Sequence, residues 1–163
     1  QNDFVTGSLG TPEAQAVVPN IVKKIEEYRE RNDAIIFTAD THYDDYLETL
    51  EGKKLPVPHC IVGTSGYDII PELNVELSPM EKIYPKSTFG YRWDAGYWMY
   101  CYDVEIIGIC TDICVVTNAL VLKTDCPDIE ITVDASCCAG TTPERHKAAL
   151  EVMKSCQINV IGE

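Results

Sequence analysis

Positive charge is scarce in this chain. Only 13 Lys and Arg stand against 26 Asp and Glu, a formal net charge of −13 over 163 residues. Proteins that grip a phosphate backbone concentrate Lys and Arg to displace its counterions, so nucleic acid is not an expected partner. Long apolar runs are missing too. No segment approaches the roughly 20 consecutive apolar residues that span a bilayer, and no charged-then-apolar leader opens the chain, so no membrane partner is expected. Repeats, low-complexity tracts and linkers are absent, and the length suits one domain over 1–163 with a substantial core. Histidine is down to three residues, His42, His59 and His146, which makes the position of each informative.

Cysteine, by contrast, is plentiful: eight residues, at 60, 101, 110, 114, 126, 137, 138 and 156. In a small secreted domain that number reads as a disulfide framework. Here most of them sit inside apolar text, where a free thiol packs as a small hydrophobe. Reduced core thiols in a cytoplasmic protein are therefore expected.

Apolar spacing and punctuation give the order of elements. Thr11-Pro12-Glu13 offers a helix start, and Val18, Ile21, Val22, Ile25 and Tyr28 continue at helical spacing through 17–31, with Pro19 suited to a first turn. Residues 34–39 form a short continuous apolar run, as a strand buried on both faces does. The stretch 40–55 reads as polar and irregular, and 67–77 as loop with one helical turn. Strands are expected at 81–84, 103–109, 129–133 and 158–161, with helices over 114–123 and 142–155. Strands alternating with helices predict an α/β fold of three layers, with a mostly parallel sheet covered on both faces.

In such sheets, chemistry gathers beyond the carboxyl ends of the strands. Asp40 and His42 follow one strand, Lys86 follows another, and Cys110-Thr-Asp-Ile-Cys114 follows a third. Asp40, His42 and His59 are a carboxylate and two imidazoles, a set suited to one divalent metal, zinc first, with iron and manganese as the other options. Glu48 and Glu51 lie between the two histidines as candidate fourth ligands, and Glu51, before Gly52 in a turn, is preferred. His146, between charged residues, is expected to be solvated. Cys114 stands where a strand gives way to a helix, a position that favours a thiolate, and a nearby ammonium favours it further. Lys86, in a strand-end loop with no evident packing role, is the candidate, ahead of Lys82.

Gln-Asn-Asp-Phe4 with Gly-Ser-Leu-Gly10, Asp40-x-His42, Pro-x-x-His59-Cys60, Pro85-Lys86 and Gly-x-Cys-Thr-Asp-x-Cys114-Val resemble, in order and over the whole chain, the isochorismatase-like cysteine hydrolases. Within that superfamily they are most similar to nicotinamidase/pyrazinamidase sequences. The resemblance implies the isochorismatase-like fold and hydrolysis of nicotinamide, or a close aromatic carboxamide, to the acid and ammonia through a cysteine thioester. It implies Cys114 as nucleophile, Lys86 as activating cation and the backbone N–H groups of Cys110 and Cys114 as oxyanion hole. It also implies a cis peptide at Ile109–Cys110, ring contacts from Phe4 and Phe89, and a metal on Asp40, His42 and His59 that orients the ring. The setting expected with it is a homo-oligomer in the cytoplasm, taking a small amide substrate in NAD salvage.

Two departures accompany the resemblance. The family's catalytic aspartate and first strand would precede Gln1, so the sequence is expected to lack its N-terminal strand. Asp3 matches a non-catalytic position. Pro56 stands where such amidases often carry Trp, so a less enclosed ring pocket is expected. The alternatives are another cysteine amidohydrolase of the superfamily, a hydrolase in which metal-activated water attacks, and a non-catalytic metal-binding homologue.

Overall fold

The computed structural model describes residues 1–93 and 103–163, so Cys101 lies outside the described residues. The chain divides into two compact units, Gln1–Thr88 and Phe89–Glu163.

In the first unit, Thr11 caps helix α1 (Pro12–Ala16) by accepting from the Ala14 N–H, and helix α2 (Val18–Glu30) follows with Pro19 in its first turn. α2 buries Ile21 and Ile25, one turn apart, so its apolar stripe is narrow. Strand β1 (Ile35–Asp40) pairs in parallel with β2 (Glu81–Lys86), with Asp40 opposite Lys86. Arg29 ties the end of α2 to the start of β2 through a two-pronged pair with Glu81, at 2.6 and 3.0 Å. That pairing holds the Glu81 carboxyl below its usual range. Between the strands lie helix α3 (Leu50–Lys54) and the single turn Pro71–Leu73.

Two expectations change here. The sequence ended the second strand before Pro85, whereas β2 runs through it to Lys86. Among the described residues β2 pairs only with β1, so a residue without an N–H is tolerated on its open side. The stretch 40–55 is not wholly irregular, because Thr49 caps α3 by accepting from the Gly52 N–H at 3.0 Å. A five-residue helix is too short to show periodicity in the sequence.

The second unit is a parallel sheet in the order β3 (Asp103–Ile109), β4 (Glu130–Ala139), β5 (Asn159–Ile161), with helices α4 (Val116–Asp125) and α5 (Pro143–Ser155) as connections. β4 outruns its expected end at 133. Beyond it, Asp134 accepts from the Ser136 N–H and hydroxyl, and the strand continues through the buried Cys137 and Cys138. The register between β3 and β4 jumps from Ile106–Val133 to Gly108–Cys138, and Gly108 sits at φ +133°. Only glycine adopts that backbone readily, so the bulge that re-aims the end of β3 depends on it. The parallel α/β class expected from the sequence is what the chain adopts. No helix among the described residues is long and apolar enough to cross a membrane.

Candidate functional site

The carboxyl edge of each sheet carries its own set of reactive groups. In the first unit, β1 ends on Asp40, and the chain runs on through Thr41 to His42. The His42 N–H donates to the Cys60 carbonyl at 3.0 Å, and its carbonyl accepts from Val62 at 2.9 Å, which sets it beside the 57–62 segment. That segment turns sharply at Cys60, a non-glycine residue at φ +47°. Asp3 braces the turn by accepting from the Cys60 N–H at 2.7 Å, and a side chain at Gly66 would overlap that carboxylate. Asp3 thus braces the turn at Cys60.

The result is a buried cluster. One ligand atom each from Asp40, His42 and His59 lies within 4.8 Å of the other two. His59 Nδ1 donates to the Val57 carbonyl at 2.8 Å, which leaves Nε2 with its lone pair in the neutral ring. Burial pushes the His42 imidazole below its usual value, which favours its neutral, ligating form. His42 Nε2 is buried without a hydrogen-bond partner among the described residues. An orphaned buried nitrogen costs stability unless something occupies it. Two imidazoles and a carboxylate around that nitrogen fit a divalent cation.

α3 brings Glu51 to the cluster. Its carboxylate lies 3.9 Å from His42 Nε2 and 3.8 Å from His59 Nε2. Gly52 lets α3 come this close, since a side chain there would run into the Tyr46 backbone. Glu48 is exposed, so of the two candidates only Glu51 reaches the histidines. Sequence reasoning missed Tyr46. Its ring is buried, edge-on to His42 at 4.8 Å and to His59 at 5.0 Å, and its hydroxyl donates to the Leu55 carbonyl. Phe4 packs edge-on to His59 at 5.6 Å. A cleft lined by Thr41, His42, Tyr46, Thr49 and Glu51 opens onto the cluster.

Lys86 departs from expectation. It is not a loop lysine without a packing role but the buried last residue of β2. Its ammonium forms an ion pair with Asp40, both side chains being under a tenth exposed, and it also donates to the Thr88 carbonyl at 3.2 Å. The β1–β2 register places the two directly opposite, so the strand pairing itself builds the ion pair.

In the second unit the Ile109–Cys110 peptide is cis, as expected. Residues Thr111–Val115 form a π-helical turn, closed by the Val115 N–H on the Cys110 carbonyl at 3.1 Å, before α4 begins. Cys114 therefore sits in that wide turn, not at the first residue of an α-helix. Three contacts fix the turn. Thr111, fully buried, is hydrogen-bonded to His146 Nδ1 at 2.8 Å. Asp112 accepts from the Thr141 N–H at 2.8 Å and from its hydroxyl at 2.5 Å. Asn118 Nδ2 donates to the Cys114 carbonyl at 2.8 Å. His146 is thus a half-buried buttress and not a solvated residue, with its imidazole held below the usual value by burial. Phe89 is 45% exposed.

None of the seven described cysteines is in a disulfide, and four of them are buried. Burial pushes the Cys60 and Cys138 thiols up to about 12, so neither forms a thiolate near neutral pH.

A family model of the isochorismatase domain matches residues 1–162. The chain is 26% identical over 179 aligned residues to a nicotinamidase/pyrazinamidase of Mycobacterium tuberculosis, covering 99% of this chain and 94% of that one. Its fold is similar to the crystal structure of a nicotinamidase from Bacillus subtilis (TM-score 0.83, 24% identity, 98% of this chain and 93% of that one). It is also similar to that of a pyrazinamidase of Pyrococcus horikoshii in complex with zinc (TM-score 0.82, 24% identity, 100% and 94%).

Proposed function

Because the chain belongs to the isochorismatase family, we propose that it deamidates nicotinamide, or a close aromatic carboxamide, to the acid and ammonia. Family membership and its amidase relatives make it a hydrolase acting on amide C–N bonds. The observation that carries the finer reading is the orphaned, buried His42 Nε2 inside the Asp40–His42–His59 set, with the Glu51 carboxylate beside it. Such a set suits a cation that takes a ring nitrogen, which plain amides lack. The zinc in the pyrazinamidase neighbour supports zinc as the first choice.

Asp40, His42 and His59 would hold the metal with Glu51 as fourth ligand, and when bound it supplies a Lewis-acid contact that orients the ring. Phe4, against His59, and Phe89 are assigned to the ring faces. Cys114 is the nucleophile. Its sulfur forms a bond to the amide carbon, the C–N bond breaks, and the nitrogen leaves with a proton as ammonia. Water then cleaves the thioester and restores the thiol. The backbone N–H groups of Cys110 and Cys114 are assigned to the developing oxyanion, where one donor is worth about 3–4 kcal/mol in well-studied cases. Lys86 is assigned the positive charge that favours the thiolate, with the Asp40 carboxylate holding its ammonium in place.

Rates on three amides test this. Nicotinamide and pyrazinamide should be turned over, and benzamide, without a ring nitrogen, on the order of a hundredfold more slowly, because a tilted ring misplaces its carbonyl by about 1 Å. The exposed Pro56, where such amidases often carry Trp, leaves room for somewhat larger amides. Equal rates on benzamide would remove the ring nitrogen from the reading and leave a cysteine amidohydrolase of another substrate.

A further inference from the structure

We propose that Asn118 is a positioning residue that sets recognition of the aromatic amide by fixing the segment Phe89–Tyr91 against the first turn of α4. The proposal rests on the reading above, in which Phe89 contacts the ring.

Asn118 lies one turn beyond Cys114 and is 9% exposed. Its amide works at both ends. Oδ1 accepts from the Tyr91 N–H at 2.9 Å, while Nδ2 donates to the Cys114 carbonyl at 2.8 Å and to the Phe89 carbonyl at 3.4 Å. A primary amide has two N–H donors, and both are engaged. Reversing the amide would set a donor against the Tyr91 N–H, so its orientation is fixed. Pairing with the carbonyl of residue 89 and the N–H of residue 91 copies a strand partner. It therefore sets the register of the segment as well as its distance from the helix.

A second observation points the same way. At Gly90, the residue between those two groups, an added Cβ would lie 2.8 Å from Thr117 Cγ2. Thr117 cannot swing that methyl aside cheaply, because its hydroxyl donates to the Ile113 carbonyl at 2.6 Å and so holds its rotamer. The backbone thus comes close to α4 at Gly90, where only a hydrogen fits, and Asn118 locks it there. Phe89, nearly half exposed on this pinned backbone, is a contact surface whose position is set before substrate arrives. Such preorganisation stabilises the bound ring more than it alters the bond-breaking step.

The test uses the full-length, metal-loaded protein and the variants Asn118→Leu, Gly90→Ala, Phe89→Ala and Phe89→Ala/Asn118→Leu. Gly90→Ala lifts the segment without touching the Cys114 carbonyl, so it separates register from any effect on the nucleophile turn. We expect Asn118→Leu and Gly90→Ala each to raise KM for nicotinamide about tenfold, with kcat within about threefold in Gly90→Ala, which keeps the bond to the Cys114 carbonyl; that split is the mark of lost binding shared by ground and transition states. Alkylation of Cys114 by iodoacetamide should stay within about twofold of wild type in Gly90→Ala, and the KM of the double variant within about twofold of that of Phe89→Ala alone, since residues acting as one unit are not additive. Additive losses, or a KM unmoved while kcat or thermal stability falls, would overturn the proposal. Wild-type protein inactive on both nicotinamide and pyrazinamide would overturn the functional reading and this proposal together, an outcome distinct from failure confined to the variants.

Discussion

In Gln1–Thr88 the reactive groups hold one another. Lys86 is paired with Asp40, the His42 and His59 rings pack edge-on at 4.8 Å, and Glu51 reaches both. In Phe89–Glu163 the reactive turn is held instead by side chains assigned no bond to substrate: His146, Thr141 and Asn118. The two units share one device. Gln1 brackets Asp40 with its amide, accepting from the Asp40 N–H at 2.7 Å and donating to its carbonyl at 2.8 Å, much as Asn118 brackets Phe89–Tyr91. The difference teaches where each unit is fragile. A ligand set of the proposed kind tolerates close charges where a cation unites them, whereas a thiol assigned as nucleophile must be aimed by neighbours that leave its sulfur alone.

The largest expected effect comes from breaking the first arrangement at its ion pair. Lys86→Met leaves a carboxylate uncompensated inside the protein and should destabilise the metal-free form by about 3–5 kcal/mol in urea unfolding. Asp40→Leu/Lys86→Met should recover most of that loss. A single variant as stable as wild type would mean that Asp40 is held by other partners.

Next in size is the choice between the two glutamates. Glu51→Ala should weaken zinc binding by about 10–100-fold in competition with a chelator, while Glu48→Ala changes it little. The reverse ranking would move the fourth ligand off α3.

The smallest effect concerns the second unit's buttress. Burial depresses the His146 imidazole, so the unfolded chain takes up that proton at a higher pH than the folded one does. The resulting stability is complete above about pH 6.5 and is lost as pH falls from there toward the lowered folded value. Thermal melts between roughly pH 5 and 7.5 should show a shallower decline in His146→Gln than in wild type. An unchanged slope would assign the acid sensitivity to other groups.

What the sequence made legible follows the same division. Asp40, His42 and His59 stood out because histidine is rare here and because ligating atoms are chemically distinctive wherever they lie. Cys114 stood out through its strand-to-helix position and the surrounding motif. The supports did not. Tyr46, Asn118 and Thr141 are ordinary residue types whose importance depends on partners 9 to 29 positions away, and nothing in local spacing reveals such pairings. α3 escaped because its five residues are too few for a helical period. Lys86 was found as a residue but misjudged in setting, since its burial follows from the β1–β2 register and not from its neighbours in sequence.

Mass spectrometry of a reaction quenched during turnover of nicotinamide tests the central claim most directly. The peptide carrying Cys114 should gain the mass of the pyridine acyl group, the adduct should disappear as substrate is exhausted, and Cys114→Ala should show neither adduct nor turnover while binding added zinc as tightly as the parent chain. Sustained turnover with no acyl group on Cys114, or substantial activity in Cys114→Ala, would contradict the covalent route and leave Cys114 a structural thiol beside a hydrolase that works by other means.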